Sequence, residues 1–254
     1  MIQLTPKMFL IICPMLFLTG LVDSIGGGGG LISLPAYLFA GLPVHAAIAT
    51  NKLSSACGTA LTTIRFIRNG MVNILIAVPS VICAFAGSTM GAWASLRMSE
   101  KALKYILFAV LPIAAFFVLN RQLFSDKDSG EVKADGRTVA VAMVSALIIG
   151  FYDGFYGPGT GTFLIIAFTV FAGMGAAGAN AHAKVINLTT NLSSLFVFWR
   201  SGQVIFPLGI AGAVCCMAGN YVGSGLVLTK GSKIVRPVIL AVLAMLLVKI
   251  ITDL

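Results

Sequence analysis

The chain has 254 residues, of which 58% are hydrophobic and 10% charged, with a mean hydropathy of +1.00. So much apolar surface cannot be buried by a soluble domain of this length, so composition excludes the soluble classes and points to an integral membrane protein. The net charge of +9 would draw nucleic acid to a soluble protein, but here the lysines and arginines stand mostly at the ends of apolar runs, where lipid headgroups hold them, and no nucleic-acid partner is expected.

In chain order, apolar segments run approximately over 8–40, 43–67, 71–97 and 103–120, and again over 138–173, 175–199, 203–229 and 234–252. Most approach the roughly 20 residues that carry a helix across about 30 Å of hydrocarbon. The first segment of each set is too long for one crossing and too short for two. It also carries an acid followed by a glycine run: Asp23 before Gly26 to Gly30, and Asp153 before Gly157-Pro158-Gly159-Thr160-Gly161. Each glycine costs a helix about 1 kcal/mol relative to alanine and proline about 3 kcal/mol, so both helices are expected to break there. The break is compatible with one interrupted crossing or with a full crossing followed by a re-entrant half-helix. Lipid cannot satisfy the freed backbone groups, so each break is expected to line a protein cavity, with the N-terminus of a half-helix offering N–H groups to an anion.

Lys7 ahead of the apolar run over 8–18 has the outline of a secretory leader. The equivalent run over 138–150 is internal and cannot be a leader, so the first one is expected to remain part of the fold. That equivalence comes from an internal repeat. Asp23 matches Asp153 at an offset of 130, as do Gly27 and Gly29 with Gly157 and Gly159; beyond a two-residue insertion the offset is 132, pairing Lys52 with Lys184, Gly70 with Gly202, and Lys101 with Lys233. We expect two homologous halves of about four transmembrane segments each, 1–120 and 138–254, joined by a solvated polar linker over 121–137. Lys and Arg counts show no bias that would orient the chain, and parallel and inverted repeats both remain open.

The chemistry is expected in the second segment of each half. Lys52 and Lys184 lie deep in apolar helices, where a lysine costs on the order of 3 kcal/mol, so each needs a partner or a purpose. At 100° per residue, Lys52, Ser55, Thr59 and Thr62 share a face, as do Asn180, Lys184, Asn187, Asn191 and Ser194. Two readings stay open. In one, each lysine pairs with the acid of its own half, Lys52 with Asp23 and Lys184 with Asp153. In the other, the lysines head a hydroxyl- and amide-lined cavity that takes a dehydrated oxyanion. The expected substrate-binding set is Lys52, Lys184, Asn51, Ser55, Thr59, Asn187, Asn191, Gly28, Gly29, Gly159 and Thr160. Asp23, Asp153 and His182 are expected to serve in ion pairing or proton coupling. His182 has no counterpart, its aligned residue being Thr50; it reads as a hydrogen-bonded structural group or as a proton carrier beside Asp153.

In the third segments, Gly87-x-x-x-Gly91 and Gly219-x-x-x-Gly223 read as close helix contacts. The five cysteines fall in apolar runs with no metal-ligand spacing, and no metal or cofactor is expected. The glycine runs lack the Lys-Ser/Thr of a phosphate loop, and no catalytic constellation survives inspection, so a nucleotide-driven component and an intramembrane enzyme rank below transport. An anion channel is the remaining alternative.

The run Gly20-Leu-Val-Asp23-Ser-Ile with its glycines, the Ala49-Thr50-Asn51-Lys52-Leu53 segment, and Gly150-Phe-Tyr-Asp153-Gly-Phe-Tyr-Gly157-Pro-Gly159 with Ala181-His182-Ala183-Lys184 resemble the TauE/SafE family of sulfite exporters and related permeases, in the branch of probable membrane transporters. The resemblance covers essentially the whole chain. It implies duplication of a four-helix unit, a bacterial inner membrane location, and secondary transport of sulfite, sulfonates or related sulfur oxyanions, with protons as a candidate coupling ion.

Overall fold

The computed structural model describes residues 4–99, 101–103, 134–231 and 233–234, and the described residues are organised as helices. All but the first residue of the expected fourth segment of each half, over 103–120 and 234–252, and most of the linker lie outside them. In the first half the helices are α1 (Pro6–Gly26), α2 (Gly30–Phe39), α3 (Val44–Arg68) and α4 (Ile74–Arg97). In the second they are α5 (Gly136–Phe155), α6 (Thr160–Val170), α7 (Ala176–Arg200) and α8 (Phe206–Lys230). The protein is an all-α integral membrane protein.

Both long first segments break at their glycine runs. α1 ends where Gly27 takes φ 76° and sends its N–H back to the Asp23 carbonyl at 2.9 Å. A 21-residue helix is followed by a 10-residue one in the first half, and a 20-residue helix by an 11-residue one in the second. The short helices fold back: Gly29 lies against Thr19, Tyr37 shares a core cluster with Ile12 and Leu16, and Ala167 of α6 with Phe171 just past its end lines one groove with residues of α5 between Ala140 and Ile149. Of the two arrangements left open by segment length, this is the full-length helix followed by a re-entrant half-helix.

Among the described residues four helices are long and apolar enough to cross a membrane, namely α1, α4, α5 and α8. Helices α3 and α7 have 25 residues each but fall short in hydropathy because they carry the polar stripes. They occupy the centre, packed on one another and screened by the apolar four. α1 lies along α8 and α4 along α5, so the first helix of each half packs on the last described helix of the other. The recurrent glycines make this possible. A Cβ at Gly87 or Gly91 would run into the carbonyl oxygens of Leu147 and Phe151, and one at Gly219 into that of Phe17. Helix backbones this close need small residues at the contact.

Side-chain bonds fix the helix directions. Thr50, Ser54, Thr62 and Arg65 along α3 meet Ile205, Gly209, Asn220 and Ser224 in the same order, so α3 and α8 run parallel. Asn73 and Ser88 meet His182 and Thr190, so α4 and α7 run parallel as well. Thr63, near the end of α3, donates to the Lys184 carbonyl near the start of α7 at 3.1 Å, so these two equivalent helices run in opposite directions. The two sets of four helices are therefore inverted relative to one another, an architecture that places a central site between the repeats.

Candidate functional site

The two breaks meet at the middle of the molecule. Gly27 and Gly161 touch backbone to backbone, leaving no room there for a side chain, and Gly30 lies close against Pro158. Each helix end that the break creates is completed from the other half. The carbonyls of Ser24 and Ile25 accept from Asn180 Nδ2 at 2.9 and 3.1 Å, and the Gly26 carbonyl accepts from Thr162 Oγ1 at 2.7 Å. At the end of α5, the Asp153 carbonyl accepts from Lys52 Nζ at 2.6 Å, a cation on the negative end of a helix dipole.

The ion pairs cross between the halves. Lys52 Nζ lies 2.9 Å from Asp153 Oδ1, and Lys184 Nζ lies 2.7 Å from Asp23 Oδ2. This corrects the same-half pairing of Lys52 with Asp23 and Lys184 with Asp153. The repeats are inverted and interlocked, so the nearest acid to each lysine belongs to the opposite copy. All four groups are buried, with residue exposures of 2% for Lys52, 0% for Lys184, 8% for Asp23 and 2% for Asp153. Their charges cancel.

A cavity of about 20 Å³ lies between the breaks, room for roughly one water. Asp23, Asn51, Lys52, Ser55, Asp153, Thr160, Asn187 and Asn191 line it together with Gly27, Gly30, Gly157 and Gly161. Helices α2 and α6 both begin at this cavity, and the first N–H groups of a helix have no intrahelical acceptor. Thr160 Oγ1 donates to Asp153 Oδ1 at 2.8 Å. Asp153 Oδ2 has no hydrogen-bond partner among the described residues.

Not every expected site residue lines the cavity. Lys184 is turned onto Asp23 and is absent from the lining, as are Thr59, Gly28, Gly29 and Gly159. Thr59 is buried nearby with its hydroxyl unpartnered among the described residues, Gly29 and Gly159 cap α2 and α6, and the Gly28 carbonyl accepts from Leu31. Gly27, Gly30, Gly157 and Gly161 were missed. They sit in the same glycine runs, but which glycines of a run face inward depends on how the break folds, and no periodicity encodes that. His182 is away from the cavity. Its Nε2 accepts from the Asn73 N–H at 3.0 Å and its Nδ1 meets the Gly178 carbonyl at 2.9 Å. These partners require a neutral ring carrying its proton on Nδ1. The same bond recurs in the other half, where Thr50 Oγ1 accepts from the Ile205 N–H at 3.1 Å, and Thr50 is the residue that aligns with His182.

The sequence matches the family model described as sulfite exporter TauE/SafE over residues 12–250. The chain belongs to this family. Among its relatives, it is 37% identical to the probable membrane transporter protein YfcA of Escherichia coli K12 over 93% of this chain and 87% of that one. It is 35% identical to the probable membrane transporter protein ORF9 of a Sinorhizobium species, over 93% of this chain and 90% of the other. A probable membrane transporter protein of Haemophilus influenzae is 33% identical over 93% and 92% of the two chains. No solved structure matches the chain. The family and the apolar helices make this a multi-pass membrane protein of transporter type.

Proposed function

We propose that this TauE/SafE protein is a secondary transporter of small oxyanions in a bacterial inner membrane, with sulfite, sulfonates or related sulfur oxyanions as substrates, bound where the two breaks meet. The observation that carries this reading is the composition of the central cavity. Two half-helix N-termini, one lysine, one serine hydroxyl, one threonine hydroxyl and three asparagine amides converge there beside two carboxylates, each neutralised by its own lysine, and polar donors on a positive helix end are the ordinary chemistry of anion capture. Asn51, Asn187 and Asn191 give direction to the oxygens of the anion, and Lys52 supplies charge.

In the arrangement seen here the cavity is small, about 20 Å³. An oxyanion of four or more heavy atoms needs several times its volume, so binding requires the inverted halves to separate at the breaks. Alternating exposure of a central site by rocking of one repeat against the other fits that requirement. No nucleotide motif supplies energy, so transport follows ion gradients.

Thermal stability of the purified protein tests this reading across sulfite, sulfate, sulfoacetate, taurine and simple carboxylates. A ligand at a hundredfold excess over its Kd stabilises the folded state by about 2.7 kcal/mol. One sulfur oxyanion should raise the melting temperature of the wild type, and Asn191→Ala and Ser55→Ala should fold but lose most of the shift. No shift with any anion, or an undiminished shift in both variants, counts against binding at this cavity.

A further inference from the structure

The two crossed ion pairs are related by the repeat, yet their surroundings differ. The Lys52–Asp153 pair lies on the cavity wall, whereas Lys184 does not contribute to it. Asp153 receives both of its hydrogen bonds on Oδ1, from Lys52 and from Thr160, and its Oδ2 is buried without a partner among the described residues. A buried carboxylate oxygen without a donor is costly to leave charged, and a proton on that oxygen lowers the cost.

We propose that Asp153 is a tethered counter-anion that changes places with the substrate on Lys52 and carries a proton on Oδ2 while displaced, which couples each oxyanion to one proton. This rests on the anion-transport reading above and assigns its coupling ion and residue. With both pairs formed the four charges sum to zero, so an incoming monoanion leaves the site one negative charge in excess and a dianion two. Protonation of Asp153 removes one of these and frees the Lys52 ammonium for the substrate oxygens. The proton comes from cavity water on the side facing the open half, forms the Oδ2–H bond, and leaves by the same oxygen when the carboxylate returns to Lys52. No other bond forms or breaks.

The ionisable groups around Asp153 among the described residues are few. Lys52 faces it from α3 and Asp23 from α1 across the cavity, while Tyr152 on α5 and Tyr156 just past its end neighbour it in the chain, Tyr152 donating to the Pro158 carbonyl at 2.7 Å. Helices α6 and α7 present Thr160, Asn187 and Asn191. Lys184 is occupied by Asp23. Both acids line the cavity, but only Asp153 is paired with a lysine that lines it too; Lys184, the partner of Asp23, does not, and the Lys184–Asp23 pair acts as the strut.

The test is sulfoacetate distribution across proteoliposomes at clamped zero potential. With one proton per anion, a pH difference of one unit shifts the steady-state anion ratio about tenfold. Wild type should show that shift, Asp153→Asn should still exchange labelled sulfoacetate while losing the shift, and His182→Thr, at a residue away from the cavity, should keep it. Thr160→Val, which removes a donor to the carboxylate and leaves the acid in place, should move the pH of half-maximal transport upward. Sulfoacetate movement in wild type that ignores the pH difference overturns the coupling while leaving anion transport standing, and so does a shift that survives in Asp153→Asn. Should no anion in the panel move at all, the transport reading falls and this inference falls with it.

Discussion

The corner around Lys52 and Asp153 and the corner around Lys184 and Asp23 descend from one sequence pattern, yet the structure makes them unequal. At the first, the lysine caps the end of α5 by bonding the Asp153 backbone as well as its side chain, and a threonine from α6 steadies the acid. At the second, the end of α1 is capped instead by Asn180 and Thr162, so Lys184 is left with a single bond to Asp23. Asn180 aligns with Ile48, and Thr162 with Gly30, neither of which can donate a side-chain hydrogen bond. The two corners share a sequence pattern, and a few polar differences between them set one as a strut and the other as a wall of the cavity.

The largest effect should come from removing one partner of each pair. Asp23→Ala or Asp153→Ala strands a buried lysine and should cost about 3–5 kcal/mol, measured as a large drop in melting temperature in detergent. Replacing both partners with apolar residues of similar size separates structure from binding, because a buried pair is commonly near neutral against such a replacement. Lys184→Met with Asp23→Leu should fold and retain anion-induced stabilisation, while Lys52→Met with Asp153→Leu should fold and lose it. Equal loss in both double variants would mean that the two corners act as one site.

Periodicity and composition made much of this arrangement readable. Glycine and proline costs located both breaks, and helical spacing put Lys52 with Ser55, and Asn187 with Asn191, on single faces that now line one cavity. What spacing cannot carry is the identity of the neighbour across the interface. Same-half pairing follows naturally from two repeats read as separate bundles, and only the inverted, interlocked packing of α1 on α8 and α4 on α5 hands each lysine the other half's acid. The inversion itself left no trace in the basic residues, which are spread evenly over both ends of the segments. The recurrent Gly70 and Gly202 are explained by backbone alone: both take left-handed φ, 69° and 73°, to close the ends of α3 and α7.

A smaller effect separates His182 from Thr50. Both accept a backbone N–H from the loop before the third long helix of the opposite half, so the ring is a larger version of a hydroxyl acceptor. Importing the other repeat's residue, His182→Thr, should leave the pH dependence of transport unchanged. His182→Ala, which deletes the acceptor of the Asn73 N–H, should cost about 1–3 kcal/mol. A pH profile altered by His182→Thr would instead make the ring a proton carrier.

The smallest difference lies where the first helix of each half begins. Thr5 precedes α1 without a side-chain capping bond, whereas Asp135 caps α5 by accepting from the Thr138 N–H at 2.7 Å. The Thr138 side chain and backbone bonds hold the Asp135 carboxyl below the usual carboxylate range. A carboxyl whose pKa is depressed by folding stabilises the folded state above its unfolded value, near 3.9, and that contribution is lost as the pH falls through the folded value. The stability gap between wild type and Asp135→Ala should therefore be full at neutral pH and close only below about pH 3.9, whereas Thr5→Ala should open no gap at any pH. A gap for Asp135→Ala that persists unchanged into strong acid would mean that the capping bond does not depend on the charge, and that the two helix starts differ in loop geometry rather than in electrostatics.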